Sequence, residues 1–440
     1  MYVMKNYRKI IPLVMVIVMA LSCYTLVTGI IKQNTEYNHY LTEARKFADL
    51  GVTKYAIENY NKAIAIKSTL DIYVEVAEYY KGQENKETEL LAWCEDFFEK
   101  YPTNSKAYDC LLEAYMDQKD YASCFDVLYT ADKRHVSSDY IKNVSNEISY
   151  TFKLDFNTYE DVGIYSNNFC AVKSKDAWGY VDRYGNQRVS VTYVSAAPFT
   201  KSNMAPVVNQ KGECYFIGKS GSKVLVSKDK YKSFGILSDG IIKAQLESNK
   251  YTYLDSDLNK LFGEYEEATA FNNGVAAIKE NGKWKIINKD GKAQSSDNYD
   301  GVITDEKNIA FRNDRMFVKS NSGYVMVTSS GKQIGSETYE DARCFNDGTY
   351  AAVKKDGKWF FIDKDAKRVS DKSYDEARSF SNGLAGVKVS GKWGFVDTNE
   401  NVVIEPQFFG AKEFNEKGSC FVLTGDKWQL LKLYRLNREE

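Results

Sequence analysis

Side chains that carry oxygen recur two residues apart at three places in this chain of 440 residues. They are Asp255 with Asp257, Asn288 with Asp290, and Asp363 with Asp365. Carboxylate and amide oxygens at this spacing suit calcium. However, none of the three leads through a Gly-rich ligand loop to a distal acidic residue, and Asp or Asn at such positions also closes turns by accepting backbone hydrogen bonds. The pattern therefore predicts turns, and we expect no metal.

Other reactive residue types are poorly placed for catalysis. The two histidines, His39 and His135, are far apart in the sequence and lack cysteine neighbours that would complete a zinc site. Seven of the eight cysteines lie outside the apolar N-terminal segment and contain no C-x-x-C pair, so we expect most of them to be small buried residues. A glycosidase needs a pair of carboxylates, but the sequence gives no means of choosing it among 60 acidic residues. We predict no enzyme and no cofactor.

The balance of charge argues against a polyanionic partner. Lys and Arg number 59, and Asp and Glu number 60. A nucleic-acid binder or a polybasic membrane-surface protein would carry an excess of cations, so we expect no nucleic acid among the partners.

An apolar segment lies near the N-terminus. Residues 10–31 run for 22 positions without a charged side chain, which is enough helix to cross roughly 30 Å of hydrocarbon. Three basic residues precede it: Lys5, Arg8 and Lys9. The positive-inside rule then predicts a cytoplasmic N-terminus (1–9), a single membrane span and an extracytoplasmic remainder. A cleaved signal peptide would have a shorter apolar core, and a lipoprotein signal at Cys23 fits poorly with the residues before it.

Apolar residues recur at helical spacing over residues 35–147. Two stretches place large and small apolar residues at the offsets of a 34-residue helix-turn-helix unit. The first contains Tyr40, Ala44, Phe47, Ala56, Tyr60 and Ala63, and the second contains Tyr108, Leu111, Tyr115, Cys124, Leu128 and Ala131. They resemble the tetratricopeptide repeat family, and a looser unit lies between them. The resemblance implies a short α-helical solenoid.

In that family the concave face of the solenoid commonly binds peptides. The matching positions here are Asn38, Arg45, Asp49, Asp109 and Glu113. The resemblance implies a peptide groove at these residues. The alternative interpretation is a solvated helix face on an array that serves as a spacer.

A tryptophan marker repeats through the rest of the chain at intervals of 33 to 40 residues. The marker positions are Trp178, Cys214, Tyr251, Trp284, Tyr324, Trp359, Trp393 and Trp428. Five of the six tryptophans occupy them. Before the marker, most units have an apolar residue followed by lysine, as in Val387-Lys388, and a turn that contains Gly. This pattern predicts one β-hairpin in each of eight units.

The strand that carries the marker is apolar on both faces, as in Trp393 to Val396. Such strands are covered on both sides, so the sheets must stack face to face. The aromatics are therefore expected in the core rather than on a sugar-binding surface. We expect the lysines before the turns to face solvent, with a weakly basic ring as the alternative.

Two sequence segments, GKWGFVD (391–397) and FSNGLAGVK (380–388), together with Trp178-Gly179, resemble the WG-repeat family of bacterial proteins. The resemblance covers about residues 150–433. Units with Cys214, Tyr251 or Tyr324 at the marker depart from the pattern and are recognised by their spacing. The family implies a β-repeat domain and little agreed biochemistry.

Units of about 36 residues with three or four strands suit the blades of a β-propeller. The eighth unit stops soon after Trp428, and residues 152–169 supply an extra strand before the first hairpin. We predict an eight-bladed propeller over residues 148–436 whose first strand completes the last blade, which leaves no unpaired edge. An open β-solenoid is the alternative, since GKWGFVD also resembles the shorter choline-type cell-wall-binding repeats.

Together these features predict an α+β multidomain protein with a transmembrane helix, a tetratricopeptide-like helical domain and an all-β repeat domain. The preferred function is a membrane-anchored extracytoplasmic scaffold that binds a protein or peptide partner. Recognition of cell-wall glycan is the alternative, and glycoside hydrolysis is more remote. The bias toward Tyr, Lys and Asn is compatible with the cell surface of a low-GC Gram-positive bacterium.

Overall fold

A computed structural model of the chain describes residues 3–346 and 348–434, with side chains from residue 14 onward. The chain divides into two compact units, residues 1–149 and 150–440. The outer ends of the predicted segments 1–9 and 148–436 lie outside the described residues, as do the side chains of Lys5, Arg8 and Lys9.

The described part of the first unit is helical throughout. Its helices are α1 (Val3–Asp49), α2 (Thr53–Ile66), α3 (Leu70–Lys81), α4 (Glu87–Lys100), α5 (Ser105–Asp117), α6 (Tyr121–Lys133) and α7 (Asp139–Glu147). Helix α1 is continuous from the apolar segment into the helical domain, where Ala44 is fully buried. Ala56 and Tyr60 of α2 are also buried.

The second unit consists of short antiparallel sheets, which we number as blades in chain order. Strand β1 (Phe152–Tyr159) precedes blade 1, which contains β2 (Asp161–Val162), β3 (Phe169–Ser174), β4 (Ala177–Asp182) and β5 (Gln187–Tyr193). Blade 2 contains β6 (Ser195–Ala196), β7 (Met204–Val208), β8 (Cys214–Gly218) and β9 (Lys223–Leu225). Blade 3 contains β10 (Ser233–Ser238), β11 (Ile241–Gln245), β12 (Tyr251–Asp255) and β13 (Lys260–Tyr265). Blade 4 contains β14 (Glu267–Ala268), β15 (Val275–Glu280) and β16 (Lys283–Asn288).

The other four blades repeat this arrangement. Blade 5 contains β17 (Gly301–Val302), β18 (Met316–Ser320), β19 (Gly323–Val327) and β20 (Gln333–Tyr339). Blade 6 contains β21 (Asp341–Ala342), β22 (Ala351–Lys355) and β23 (Lys358–Ile362). Blade 7 contains β24 (Glu376–Ala377), β25 (Leu384–Val389), β26 (Lys392–Asp397) and β27 (Val402–Phe408). Blade 8 contains β28 (Gly410–Ala411), β29 (Ser419–Thr424) and β30 (Lys427–Leu433), and β1 is its fourth strand.

The blades form a closed ring. Strand β1 pairs antiparallel with β30, and Tyr159 lies opposite Trp428. A buried apolar cluster fills each junction between neighbouring blades. The junction of blade 8 with blade 1 has its own cluster, which includes Val172 and Phe421. An open solenoid would lack this last junction, so the predicted eight-bladed propeller and its ring closure are confirmed.

The glycine after the tryptophan has a steric role in blades 1 and 7. There the register between the marker strand and the outermost strand shifts, so that the outer backbone bulges toward the glycine. A Cβ on Gly394 would lie 2.4 Å from the carbonyl oxygen of Ile404, and a Cβ on Gly179 would lie 2.7 Å from that of Val189. A larger residue would push the outer strand away.

The marker aromatics belong to the interior, as predicted. Trp359 and Trp393 are only 4% and 5% exposed, and Trp178, Trp284 and Trp428 pack at the borders of the inter-blade clusters. Of the seven cysteines outside the apolar segment, six are buried and one, Cys214, is half-buried. The prediction of small buried thiols is therefore correct for most of them.

Candidate functional site

The loops between the first and second strands of the blades converge on one cavity in the middle of the ring, with a volume of about 990 Å³. Every blade contributes to its lining. One residue from each blade, in order, is Asn167, Ser202, Asp239, Asn273, Arg312, Asn346, Asn382 and Asn415. The mouth of this central channel is therefore polar and rich in asparagine.

Asparagine amides tie neighbouring loops of the channel together. Asn272 Nδ2 donates to the Phe311 carbonyl at 2.8 Å, and Asn382 Nδ2 donates to the Phe414 carbonyl at 2.7 Å. Each bond joins one blade to the next. These amides donate to backbone carbonyls that the loops would otherwise leave unpaired. The loops at the mouth are therefore joined to one another, and we call them together the collar.

Blade 5 carries the longest of these loops, residues 303–315, which we call the channel loop. It has 13 residues between β17 and β18, whereas the equivalent loops of the other blades have at most eight. The Glu306 carboxylate accepts a hydrogen bond from Lys412 Nζ of blade 8 at 2.6 Å. The Asn308 carbonyl accepts a bond from the Ala270 amide of blade 4 at 2.8 Å. The loop therefore spans the channel and is anchored on both sides.

Arg378 of blade 7 connects two carboxylates in the channel. Its Nη1 lies 3.1 Å from Glu413 Oε1 and 3.9 Å from Glu306 Oε1. Burial alone would raise the pKa of Glu413, but the charge of Arg378, a backbone hydrogen bond and the charge of Lys412 together outweigh burial and lower that pKa. Burial raises the pKa of Glu306, although Lys412 opposes the shift. Charge thus links blades 5, 7 and 8 across the channel.

Three cations of the channel wall lie over marker tryptophans. Arg343 is 4.6 Å from the ring centroid of Trp359. Arg378 is 5.7 Å from that of Trp393, and Lys412 is 5.6 Å from that of Trp428. Cation–π contacts at these distances are attractive. In blades 6 to 8 the tryptophans therefore support the charged wall rather than offering a platform for a ligand.

The lysines that end the second strands are not simply solvated. Lys279 Nζ lies 2.7 Å from Glu267, and Lys388 Nζ lies 3.8 Å from Glu376. Their side chains are about one-third exposed. Acids on the innermost strands face these lysines because the antiparallel register places Glu267 opposite Lys279 and Glu376 opposite Lys388. These two lysines are therefore paired with acids at a partly exposed surface.

The paired oxygen side chains close turns. Asp255 Oδ1 accepts hydrogen bonds from the backbone amides of Asp257 and Asn259, at 2.9 and 2.8 Å. Asn288 Oδ1 and Asp363 Oδ1 each accept the equivalent two bonds. Among the described residues, no three His, Cys, Asp or Glu side chains are grouped as a metal site. The turn prediction agrees with this geometry.

Three of the five predicted groove residues in the helical unit take part in ion pairs or hydrogen bonds. Asn38 and Asp49 are exposed. Arg45 Nε and Nη2 donate to the two carboxylate oxygens of Glu75, both at 2.8 Å. Tyr60 donates to the same carboxylate at 2.7 Å. The Arg45 guanidinium is therefore already occupied by α3.

The other two predicted groove residues contact later helices. Asp109 accepts a hydrogen bond from Ser138 Oγ at 2.5 Å, at the start of α7. Glu113 accepts one from Lys81 Nζ at 2.6 Å, at the end of α3. These pairs tie neighbouring helices together, and the peptide groove itself stays a prediction.

The sequence pattern alone does not identify the charged residues of the channel. Glu306, Arg378, Lys412 and Glu413 carry no motif of their own. One signal was available, because the 40-residue interval between Trp284 and Tyr324 is the longest between markers. It reflects the extra residues of the channel loop.

The fold and the channel define a β-propeller repeat protein. The model of the WG containing repeat matches five segments, residues 178–212, 260–284, 337–359, 359–393 and 393–428. The C-terminal part of this chain therefore contains WG repeats at five positions, as its tryptophan motifs predict. No curated protein matches the chain significantly.

Solved structures match between 62% and 64% of this chain. BamB from Moraxella catarrhalis is 10% identical, with a TM-score of 0.43 over 64% of this chain and 100% of that one. The computationally designed Ika8 protein is 11% identical, with a TM-score of 0.42 over 62% of this chain and 96% of that one. Virginiamycin B lyase from Staphylococcus aureus is 14% identical, with a TM-score of 0.34 over 64% and 100%. Such distant similarity carries no information on activity or ligand.

Proposed function

We propose that this protein is a membrane-anchored, extracytoplasmic scaffold that binds a protein partner through its repeats. One described helix, near the N-terminus, is long and apolar enough to cross a membrane, a property that an anchor and a signal sequence share. From Val14 to Ile31 its large apolar side chains are half exposed or more. Lipid would cover them, which supports an anchor. The basic residues that precede the apolar segment in the sequence favour an outward-facing repeat domain.

The polar collar of the central channel carries the proposal of a protein partner. The blades repeat one frame, whereas the loops of the collar range from two to 13 residues in length. Variable loops on a rigid frame are where repeat proteins place specificity. A glycan-binding site at the collar would need exposed aromatic rings there, but the marker rings Trp359 and Trp393 are buried. These observations favour a protein partner over cell-wall glycan.

We also propose binding rather than turnover. Glu306 and Glu413 are two carboxylates in the channel whose pKa values shift in opposite directions, which is a property of acid–base pairs in hydrolases. Here Lys412 bonds to Glu306 and Arg378 contacts both. The cations neutralise these carboxylates, and the resulting ion pairs anchor the channel loop. This structural role requires no catalytic reaction.

Labelling of a single introduced cysteine tests the membrane topology. Ser202 is exposed at the mouth of the channel, and the native cysteines of the repeat domain are buried or half-buried. In intact cells a membrane-impermeant maleimide should label Ser202→Cys as strongly as in permeabilised cells, and should label the wild type weakly. Labelling only after permeabilisation would contradict the proposed orientation.

Site-specific photo-crosslinking in intact membranes tests the partner. A photoreactive amino acid at exposed Asn273, in the collar, should give one discrete crosslinked product. The same amino acid at exposed Glu405, on the outer strand of blade 7, is the matched control and should not. A product that a protease removes supports a protein partner. A product that only a wall-degrading enzyme removes would support glycan binding instead.

A further inference from the structure

The tip of the channel loop carries a lysine. Lys307 lines the central cavity and is half-buried. Among the described residues its ammonium group makes no hydrogen bond or ion pair. A half-buried ammonium group that makes no hydrogen bond or ion pair loses part of its hydration without compensation. The position of this lysine in the channel therefore requires an explanation.

The part of the channel loop around Lys307 is held in place by hydrogen bonds. Asp305 Oδ1 accepts hydrogen bonds from the backbone amides of Lys307 and Ile309, both at 2.9 Å. The Asn308 carbonyl is held by blade 4, and the Glu306 carboxylate is held by Lys412. Such a loop pays little ordering entropy when a ligand binds.

Two further cations face the same part of the channel. Arg312 Nη2 donates to the Asn346 carbonyl at 3.2 Å, but its buried Nε has no hydrogen-bond partner among the described residues and lies 3.4 Å from Asp305 Oδ2. Lys201 of blade 2 is exposed at the cavity rim.

The pKa of Lys307 reflects both neighbouring cations. Burial lowers this pKa, the charge of Arg312 lowers it further, Asp305 opposes the shift, and Lys201 adds to it. Burial raises the pKa of Asp305, the acid that pairs with Arg312. By contrast, Arg378 and Lys412 are matched by Glu306 and Glu413.

We propose that the central channel binds a small organic anion, with its phosphate or carboxylate group held by Lys307, Arg312 and Lys201. The cavity of about 990 Å³ is large enough for a body beyond the anionic group, and the asparagine collar suits a polar body that donates and accepts hydrogen bonds. Both anionic groups accept the charge-assisted hydrogen bonds that lysine and arginine supply. This inference does not depend on the identity of a protein partner.

Calorimetric titration of the full chain in detergent micelles tests the site. The probes are glucose 6-phosphate, gluconate and glucose, which are all polyhydroxylated and of which only the first two carry an anionic group. The variants are Lys307→Gln and Lys307→Arg, with Lys228→Gln as the control, because Lys228 is an exposed lysine outside the cavity. A thermal melt of each variant confirms that it is folded.

We expect glucose 6-phosphate or gluconate to bind the wild type and glucose not to bind. Loss of one charge-assisted hydrogen bond should weaken binding roughly tenfold in Lys307→Gln, while Lys307→Arg and Lys228→Gln bind as the wild type does. Binding of the phosphate probe alone or the carboxylate probe alone would identify the anionic group. Equal binding of glucose, absence of binding by both anions, or unchanged affinity in a folded Lys307→Gln variant would overturn the proposal.

Discussion

Lys432 Nζ donates a hydrogen bond to Asp155 Oδ2 at 2.9 Å, although the two residues are 277 positions apart. The same ammonium donates to the Tyr184 carbonyl at 2.9 Å. It therefore joins the last strand, the first strand and blade 1 at one point. Both charged side chains are nearly buried, at 12% and 11% exposure, so the ring closes through an ion pair that water hardly screens.

Replacing Asp155 with Asn should destabilise the propeller by about 2 kcal/mol at pH 7, since hydrogen bonds to charged groups contribute about this much. Burial would raise the pKa of Asp155, but the bond from Lys432 and other hydrogen bonds outweigh it and lower that pKa. A lowered pKa contributes stability above the unfolded value of about 3.9 and loses it as pH falls through the folded value. The difference between wild type and Asp155→Asn should therefore shrink in strong acid.

Denaturant titration followed by tryptophan fluorescence measures this difference, because five of the six tryptophans lie on the repeat markers. The control is Glu213→Gln, which removes an exposed carboxylate 3.8 Å from Lys223. It should leave the midpoint unchanged. An Asp155→Asn effect that is the same at pH 7 and pH 3 would show that the Asp155 charge does not hold the ring closed.

Gly394 and Gly386 give a matched pair within blade 7. A Cβ on Gly394 would meet the Ile404 carbonyl oxygen at 2.4 Å, whereas a Cβ on Gly386 would make ordinary contacts at 3.6 Å. We expect Gly394→Ala to cost about 3 kcal/mol, because the outer strand must move, and Gly386→Ala to be nearly neutral. Thermal melts of both variants measure the contrast. Equal melting temperatures would mean that the WG glycine has no steric role.

The repeated part of the fold could be predicted because every repeat has the same local sequence pattern. The marker positions predicted eight hairpins, and the missing outer strand after Trp428 predicted that β1 would complete the ring. Hairpin turns and buried strands depend on nearby residues, so one sequence contains enough to place them.

The channel could not be predicted in this way. Glu306 and Lys412 are 106 positions apart, and their contact depends on the radial direction of two loops from blades 5 and 8. The sequence pattern does not specify the direction in which a loop points. For the same reason, the sequence pattern places Arg45 at a groove position but does not predict its hydrogen bonds to Glu75.

The Arg45–Glu75 pair should couple α1 to α3. Its bidentate geometry suits a guanidinium and not an ammonium, so Arg45→Lys should recover little of the loss in Arg45→Ala. The hydrogen bond from Arg45 lowers the pKa of Glu75 in spite of its burial. A double-mutant cycle with Glu75→Gln should give a coupling of about 0.5–1 kcal/mol, which disappears in acid as Glu75 takes up a proton. Circular dichroism at a helical wavelength reports on these variants, and zero coupling at pH 7 would contradict the pair.

Glu306, Arg378, Lys412 and Glu413 form a charged cluster in the channel. Arg378 should be essential to it because this side chain forms an ion pair with the Glu413 carboxylate. In Arg378→Met the Glu413 carboxylate loses its cation while one of its oxygens, Oε2, already lacks a hydrogen-bond partner among the described residues. Breaking a buried pair on one side costs about 3 kcal/mol. Burial, the largest influence on Glu413, would then be opposed only by the charge of Lys412 and a backbone hydrogen bond, and it should raise the folded pKa of Glu413. This variant should therefore be more destabilised at pH 8 than at pH 5, the reverse of a carboxylate with a lowered pKa.

Two further variants separate charge from packing in this cluster. Adding Glu413→Gln to Arg378→Met should restore part of the stability at pH 8, since it removes the unpaired charge. Arg343→Met loses a cation at a similar place over Trp359, but its acidic neighbours Asp341 and Glu376 are more exposed, so its cost should be smaller and independent of pH. Fluorescence-monitored melts at both pH values give the comparison. If Arg378→Met and Arg343→Met behaved alike, the stabilising contribution of Arg378 would lie in its stacking on Trp393 rather than in the charge of Glu413.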